Sequence, residues 1–150
     1  MQLAELCKEN MVFLDFAAEN KDDALNRMVK AVEGAGGVDD INGLRQALIE
    51  REKLGTTGVG GGVAIPHARS ATIKDLSIAF FRSKAGIQFN AIDNKPVNLV
   101  FLLLAPLSAG GPYLKLLAKI SRLLRNDDFR SSLQDAGSAA DVIKTLKEHD

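Results

Sequence analysis

An α/β layered domain, with helices covering both faces of a mixed sheet, is the fold class that this sequence predicts. Three observations carry it. Two stretches repeat apolar residues at helical spacing, first Leu25, Met28, Val29 and Val32, then Ile41, Leu44, Ala47 and Leu48. Val97 to Leu104 then runs almost without a polar residue, the pattern of a strand buried on both faces. Beyond Pro106 helical spacing returns, at Leu114, Leu117, Ile120, Leu123 and Leu124. Helices, then strands, then helices stack as layers, in a strand order that the pattern leaves open.

In chain order, Leu3 to Lys8 suits a short helix, and Met11 to Phe16 alternates as a first strand with Phe13 and Asp15 on one face and Leu14 and Phe16 on the other. Asn20 is placed to cap the first long helix, with Asp23 in its acidic first turn, and the run Gly34-Ala35-Gly36-Gly37 stops it. Asp39 or Asp40 caps the second, which ends near Lys53 with Gly55 positioned for a left-handed cap. Val63 to Ile65 reads as a short strand, Leu76 to Phe81 as a longer one and Ile87 to Phe89 as a small edge strand. The turn Asp93-Asn94-Lys95-Pro96 leads into the buried strand. Ser108 to Pro112 is a loop that puts proline in the first turn of the next helix. Asn126 to Leu133 and Ser138 to Leu146 close the chain as short helices, the second capped by Ser138 with Asp141 three residues on.

With 150 residues, 46% of them apolar, residues 1–150 are expected to form a single domain around one core. Nineteen Lys and Arg balance nineteen Asp and Glu, which removes the electrostatic footprint of a nucleic-acid binder. The single cysteine, Cys7, closes no internal disulfide and builds no thiolate metal site. The longest apolar run, Val97 to Ala105, is too short to cross a bilayer, and no basic-then-apolar leader opens the chain. A cytoplasmic protein without membrane insertion is expected.

The densest chemical signal is "GTTGVGGGVAIPHAR", Gly55 to Arg69, with five glycines in its first eight positions. Glycine-rich loops cradle phosphates, yet no Lys-Ser/Thr follows Gly62 as a Walker loop requires, and Val63 stands where a dinucleotide fingerprint needs its third glycine. The loop also runs from helix to strand, the reverse of both motifs. Glycines that merely let the chain turn and pack closely are the structural alternative. Pro66 then fixes the backbone beside His67, so that the imidazole is presented stiffly at a strand end. A metal site would need partners, and the other histidine, His149, stands one residue from the end of the sequence. No GxSxG or comparable cysteine motif supports a hydrolytic triad. The remaining use is the imidazole as nucleophile, taking up a phosphoryl group whose charge is stabilised by backbone amides and a cation.

"REKLGTTGVGGGVAIPHAR", Arg51 to Arg69, resembles the active-site signature of the EIIA domains of the bacterial phosphoenolpyruvate-dependent sugar phosphotransferase system, of the fructose, mannitol and nitrogen-regulatory type. "AIDNKPVNLVFLLLAP" (Ala91 to Pro106) and "LKLLAKISRLLRNDDFR" (Leu114 to Arg130) look like the same family. The resemblance implies a three-layer α/β/α fold with a mixed sheet. It further implies a phosphocarrier without cofactor or metal, phosphorylated by HPr or its nitrogen-branch relative and passing the group to an EIIB domain or using it as a regulatory signal. His67 matches the phosphorylated position, and Arg51, sixteen residues earlier, matches an arginine near it. Thr57, Gly58, Gly60, Gly61 and Tyr113 are the candidate binding residues. Two positions depart from many members: Tyr113 stands for a second histidine, and Gly61, six residues before His67, for Asn, Asp or Glu. Those departures motivate the alternative of a regulatory binding module with weak or lost phosphorylation. The absence of EIIB and EIIC sequence favours the nitrogen-regulatory branch. Ser108, Gly110 and Gly111 are expected to bring a helix N-terminus close to His67.

Overall fold

A computed structural model describes residues 2–36 and 38–150. The helices are α1 (Leu3–Leu6), α2 (Lys21–Gly34), α3 (Ile41–Lys53), α4 (Gly110–Leu123), α5 (Asp127–Asp135) and α6 (Ala139–Glu148). The strands are β1 (Val12–Phe13), β2 (Gly58–Gly60), β3 (Val63–Ala64), β4 (His67–Arg69), β5 (Ser77–Ile87) and β6 (Val97–Ala105). They form one mixed sheet in the order β1-β5-β6-β3-β2, with β4 also paired to β6. β5 runs antiparallel to β6, whereas β3 and β4 run parallel to it.

Alternation along β6 divides the interior in two. Val100, Leu102 and Leu104 face α2 and α3, while Leu99, Phe101 and Leu103 face α1, α4, α5 and α6. This is the three-layer α/β/α arrangement. Its helices start on short-range signals: the side chains of Asn20, Asp40, Asn126 and Ser138 each accept the backbone N–H three residues on. α2 ends at Gly34, and Gly36 follows at φ +81°; Gly37 lies outside the described residues.

Five expectations need correction. The segments Leu76–Phe81 and Ile87–Phe89 are not two strands, because Ser77–Ile87 is one strand that pairs with β6 from Ser77 to Arg82 and, after an irregularity, again at Ile87. The strand runs on past Phe81 through Arg82, whose guanidinium is buried and donates to the carbonyls of Leu133, Gln134 and Ala136 at the end of α5. The first strand shrinks to Val12–Phe13, because Leu14 and Asp15 already turn; Phe13 stacks on Phe81 at 4.9 Å between ring centroids. α4 buries Tyr113, Leu116, Ile120 and Leu123, so the stripe is turned one residue back and Leu114 is 63% exposed. Gly55 has φ +150°, outside the left-handed helical region, and α3 closes instead through the Leu54 and Gly55 N–H groups on the carbonyls of Arg51 and Glu52. Finally, the glycine stretch holds a strand of its own, β2, and His67 opens another. Among the described residues no helix is long and apolar enough to cross a membrane.

Candidate functional site

Val63 pairs with Leu99 and His67 with Leu103, so β3 and β4 are two pieces of one line along β6, interrupted at Pro66. Proline has no N–H to offer a ladder and is tolerated at such an edge. Among the described residues β4 pairs with no strand besides β6, and the C-terminal turn of α3 meets it there. His67 and Arg69 share the face turned to α4, while Ala68 packs with α2 and α3.

The geometry assigns the imidazole tautomer. His67 Nδ1 lies 2.7 Å from the carbonyl oxygen of Ile65, which only accepts, so Nδ1 carries the hydrogen. Arg51 Nε, which only donates, lies 3.1 Å from His67 Nε2, so Nε2 carries the lone pair. A second contact, Arg51 Nη1 to the Gly55 carbonyl at 2.9 Å, holds the guanidinium in place. Half-burial of the ring lowers its pKa, and the charge of Arg51 lowers it further against the opposing pull of the Ile65 carbonyl. The imidazole is therefore neutral at pH 7, with a nucleophilic nitrogen aimed at a cation.

Residues adjoining this pair fix its position. Glu52, with 7% of its side chain exposed, accepts from Lys21 Nζ at 2.7 Å and from the Thr57 N–H at 3.2 Å, and also takes the Thr57 hydroxyl. The Tyr113 ring centroid is 5.9 Å from that of His67. Burial pushes the Tyr113 hydroxyl up to about 12, against the charges of Arg69 and Arg51, so it stays a proton donor. The guanidinium of Arg69 sits 5.8 Å from the Tyr113 ring centroid, and a Cβ on Gly110 would come within 3.8 Å of its Nη1. The start of α4 thus borders Arg69, and the ring of its Tyr113 borders His67. Arg69 is the residue that sequence reasoning passed over; the two-residue period of a strand carrying His67 was the available signal.

The other candidates are not gathered at the imidazole. Thr57 commits both its hydroxyl and its N–H to Glu52, and its carbonyl to the N–H of Ile65. Gly58 packs against Ala91, where an added Cβ would meet backbone at 2.8 Å, and its carbonyl accepts from Ile92. Gly60 and Gly61 form the tip of the β2–β3 hairpin at φ +92° and +66°, and the Gly61 N–H donates to Asp93 at 3.0 Å. The register sets Val63 about 13 Å from His67 at ~3.3 Å per residue, and the tip lies farther still. These glycines serve the turn and its packing rather than supplying amides to the imidazole. A side chain at position 61 would start 3.8 Å from Arg130 Nη1, so the departure there does not touch His67.

Elsewhere, His149 caps the end of α6 with Nδ1 3.0 Å from the Thr145 carbonyl, and burial pushes the Cys7 thiol up to about 12. Among the described residues no three His, Cys, Asp or Glu side chains gather where a metal ion could sit.

A neutral imidazole whose lone pair faces an arginine suits the transfer of a group with anionic oxygens: the nitrogen attacks while the guanidinium receives the negative charge. Fold and site together define a three-layer α/β/α protein with a neutral histidine facing an arginine at the edge of its sheet. The family model described as phosphoenolpyruvate-dependent sugar phosphotransferase system, EIIA 2, matches residues 5–149, and the chain belongs to that family. It is therefore a component of that system with a phosphocarrier or regulatory role. A fructose-specific EIIA component from Haloferax volcanii is 38% identical over 138 residues, covering 92% of this chain and 90% of the relative. A fructose-specific EIIABC component from Bacillus subtilis is 33% identical over the whole chain, which spans only 24% of that relative. The crystal structure of the nitrogen regulatory protein IIA-Ntr from Neisseria meningitidis superimposes with a TM-score of 0.88 at 34% identity, covering 95% of this chain and 97% of that one.

Proposed function

We propose that the chain is a cytoplasmic phosphohistidine carrier in which Nε2 of His67 takes a phosphoryl group from an HPr-like donor. The observation that carries the reading is the tautomer: Nδ1 is occupied by the Ile65 carbonyl, and Nε2 faces Arg51. In the transfer a bond forms between Nε2 and phosphorus as the donor's own nitrogen–phosphorus bond breaks, and the donor ring recovers its lone pair. Nδ1 keeps its hydrogen on Ile65, whose carbonyl dipole steadies the positive charge that the ring acquires. Arg51 turns from the lone pair, now consumed, to a phosphoryl oxygen, where its charge counts for more. Onward transfer reverses these steps toward an EIIB cysteine, in keeping with the Bacillus subtilis relative named for joined A, B and C parts. Where no EIIB takes the group, the phosphorylated form is itself the regulatory signal.

Intact mass measured after incubation with phosphoenolpyruvate and the donor proteins should rise by one phosphoryl group, and His67→Ala should abolish the rise. A wild-type chain that gains no mass while a control EIIA is phosphorylated in the same mixture sinks the proposal. It would leave the binding-module reading, in which partner binding is indifferent to His67→Ala.

A further inference from the structure

Resting on the carrier reading above, we propose that Arg69 is a second phosphoryl-holding residue, gripping the oxygens on the side of His67 opposite to Arg51. Arg51 alone reaches a group with three free oxygens from one side only and with part of its fork, since one Nη1 hydrogen is held by the Gly55 carbonyl and its Nε is the atom facing His67. A guanidinium from the other side supplies what is missing. Strand alternation puts Arg69 on the face of His67, with their Cα atoms about 7 Å apart, within the length of an extended arginine side chain. Tyr113 sits between them as a shared wall: its ring centroid is 5.9 Å from that of His67 and 5.8 Å from the Arg69 guanidinium.

The resting position of Arg69 is electrostatically uncomfortable. Its guanidinium borders Gly110 at the start of α4, the positive end of that helix, which has no side-chain cap. Among the described residues the ion pairs include neither Arg51 nor Arg69. Two guanidinium groups outside those ion pairs and a helix N-terminus therefore border the pocket of a neutral imidazole, and the one carboxylate whose charge reaches that ring, Glu52, is already paired with Lys21. A phosphoryl dianion on Nε2 is the charge that this arrangement lacks. Arginine also fits the role through its planar fork of donors, which a lysine replaces only as a point charge.

The test uses the full chain as Arg69→Gln and Arg69→Lys, each phosphorylated once by the donor protein and once by a small donor such as phosphoramidate. The hydrolytic lifetime of the isolated phosphorylated form and its phosphorus NMR shift are then read without any partner present. Arg69→Gln should slow uptake from both donors by on the order of a hundredfold, the loss typical when one charge-stabilising donor is removed. It should also change the lifetime and move the phosphorus resonance; Arg69→Lys should recover part of the rate, and both variants should melt with the wild type. Uptake from the small donor and a lifetime both unchanged in Arg69→Gln would overturn the proposal, and loss confined to the protein donor would assign Arg69 to docking. A melting temperature lowered in both variants, with normal chemistry at low temperature, would make it a packing residue for Tyr113. If the wild type takes up no phosphoryl group, the carrier reading falls and this inference with it.

Discussion

His67 is neutral because of what surrounds it rather than because of pH alone. Burial disfavours the imidazolium, and Arg51 disfavours it again, so the folded ring titrates below the ordinary imidazole range. The proton linkage follows from that direction: as pH falls through about 6.5 the unfolded chain takes up a proton before the folded one does. Stability is therefore lost progressively from there down to the folded pKa, below which the loss is complete. NMR titration of the ring should place its midpoint below that of a free imidazole, and acidification from pH 7.5 to 5.5 should cost wild type more melting temperature than His67→Gln. Phosphoryl uptake should likewise persist at pH values where a free imidazole is already half protonated. At this scale the sequence was legible where chemistry is local. Pro66 beside His67 marks a constrained imidazole, but Thr57 and the glycines of the same stretch could be assigned only by knowing which way the hairpin points. That direction is a matter of register, with Val63 on Leu99 and His67 on Leu103.

The C-terminal turn of α3 is the element that makes a site out of His67. Arg51 and Glu52 are adjacent, one turned outward to the imidazole and the other inward to Lys21 and Thr57. Glu52→Ala leaves Lys21 without its carboxylate in a nearly closed position, 15% exposed, where breaking an ion pair from one side costs about 3 kcal/mol. Urea denaturation should show that loss, and the freed loop should loosen the Gly55 carbonyl from Arg51 and weaken phosphoryl uptake along with it. The helices that carry such turns were readable from their caps, since a side chain bonding to an amide three residues away is written in adjacent letters. β5 was not, because Arg82 looks solvent-facing in sequence and becomes a buried donor only when α5 arrives from the other end of the chain. The stripe of α4 was misplaced for a related reason: the Tyr113 ring is drawn in to fill the wall beside His67, and Leu114 is left to solvent.

Across the whole molecule, Arg82 joins the sheet to the helical layer that covers it. Its Nη1 reaches the Leu133, Gln134 and Ala136 carbonyls at 3.1, 3.0 and 2.7 Å, and its Nε reaches the Leu14 carbonyl at 3.4 Å. Arg82→Met should keep the packing volume but orphan those carbonyls, lowering stability by about 3 kcal/mol in chemical denaturation. Strand order, which decides all of this, depends on pairings between distant segments and has no local trace. The same topology leaves β4 at a margin of the sheet, with α3 on one side, Tyr113 of α4 on the other and, among the described residues, a front open enough to leave His67 half-buried. On the carrier reading, that open front makes the protein half of an enzyme. It has a floor and two side walls, and the roof arrives only with each partner, so a stored phosphoryl group waits in the rain between deliveries. Loss to water would then compete with delivery, and the charge held in the cell's pool of this protein would record how often partners call.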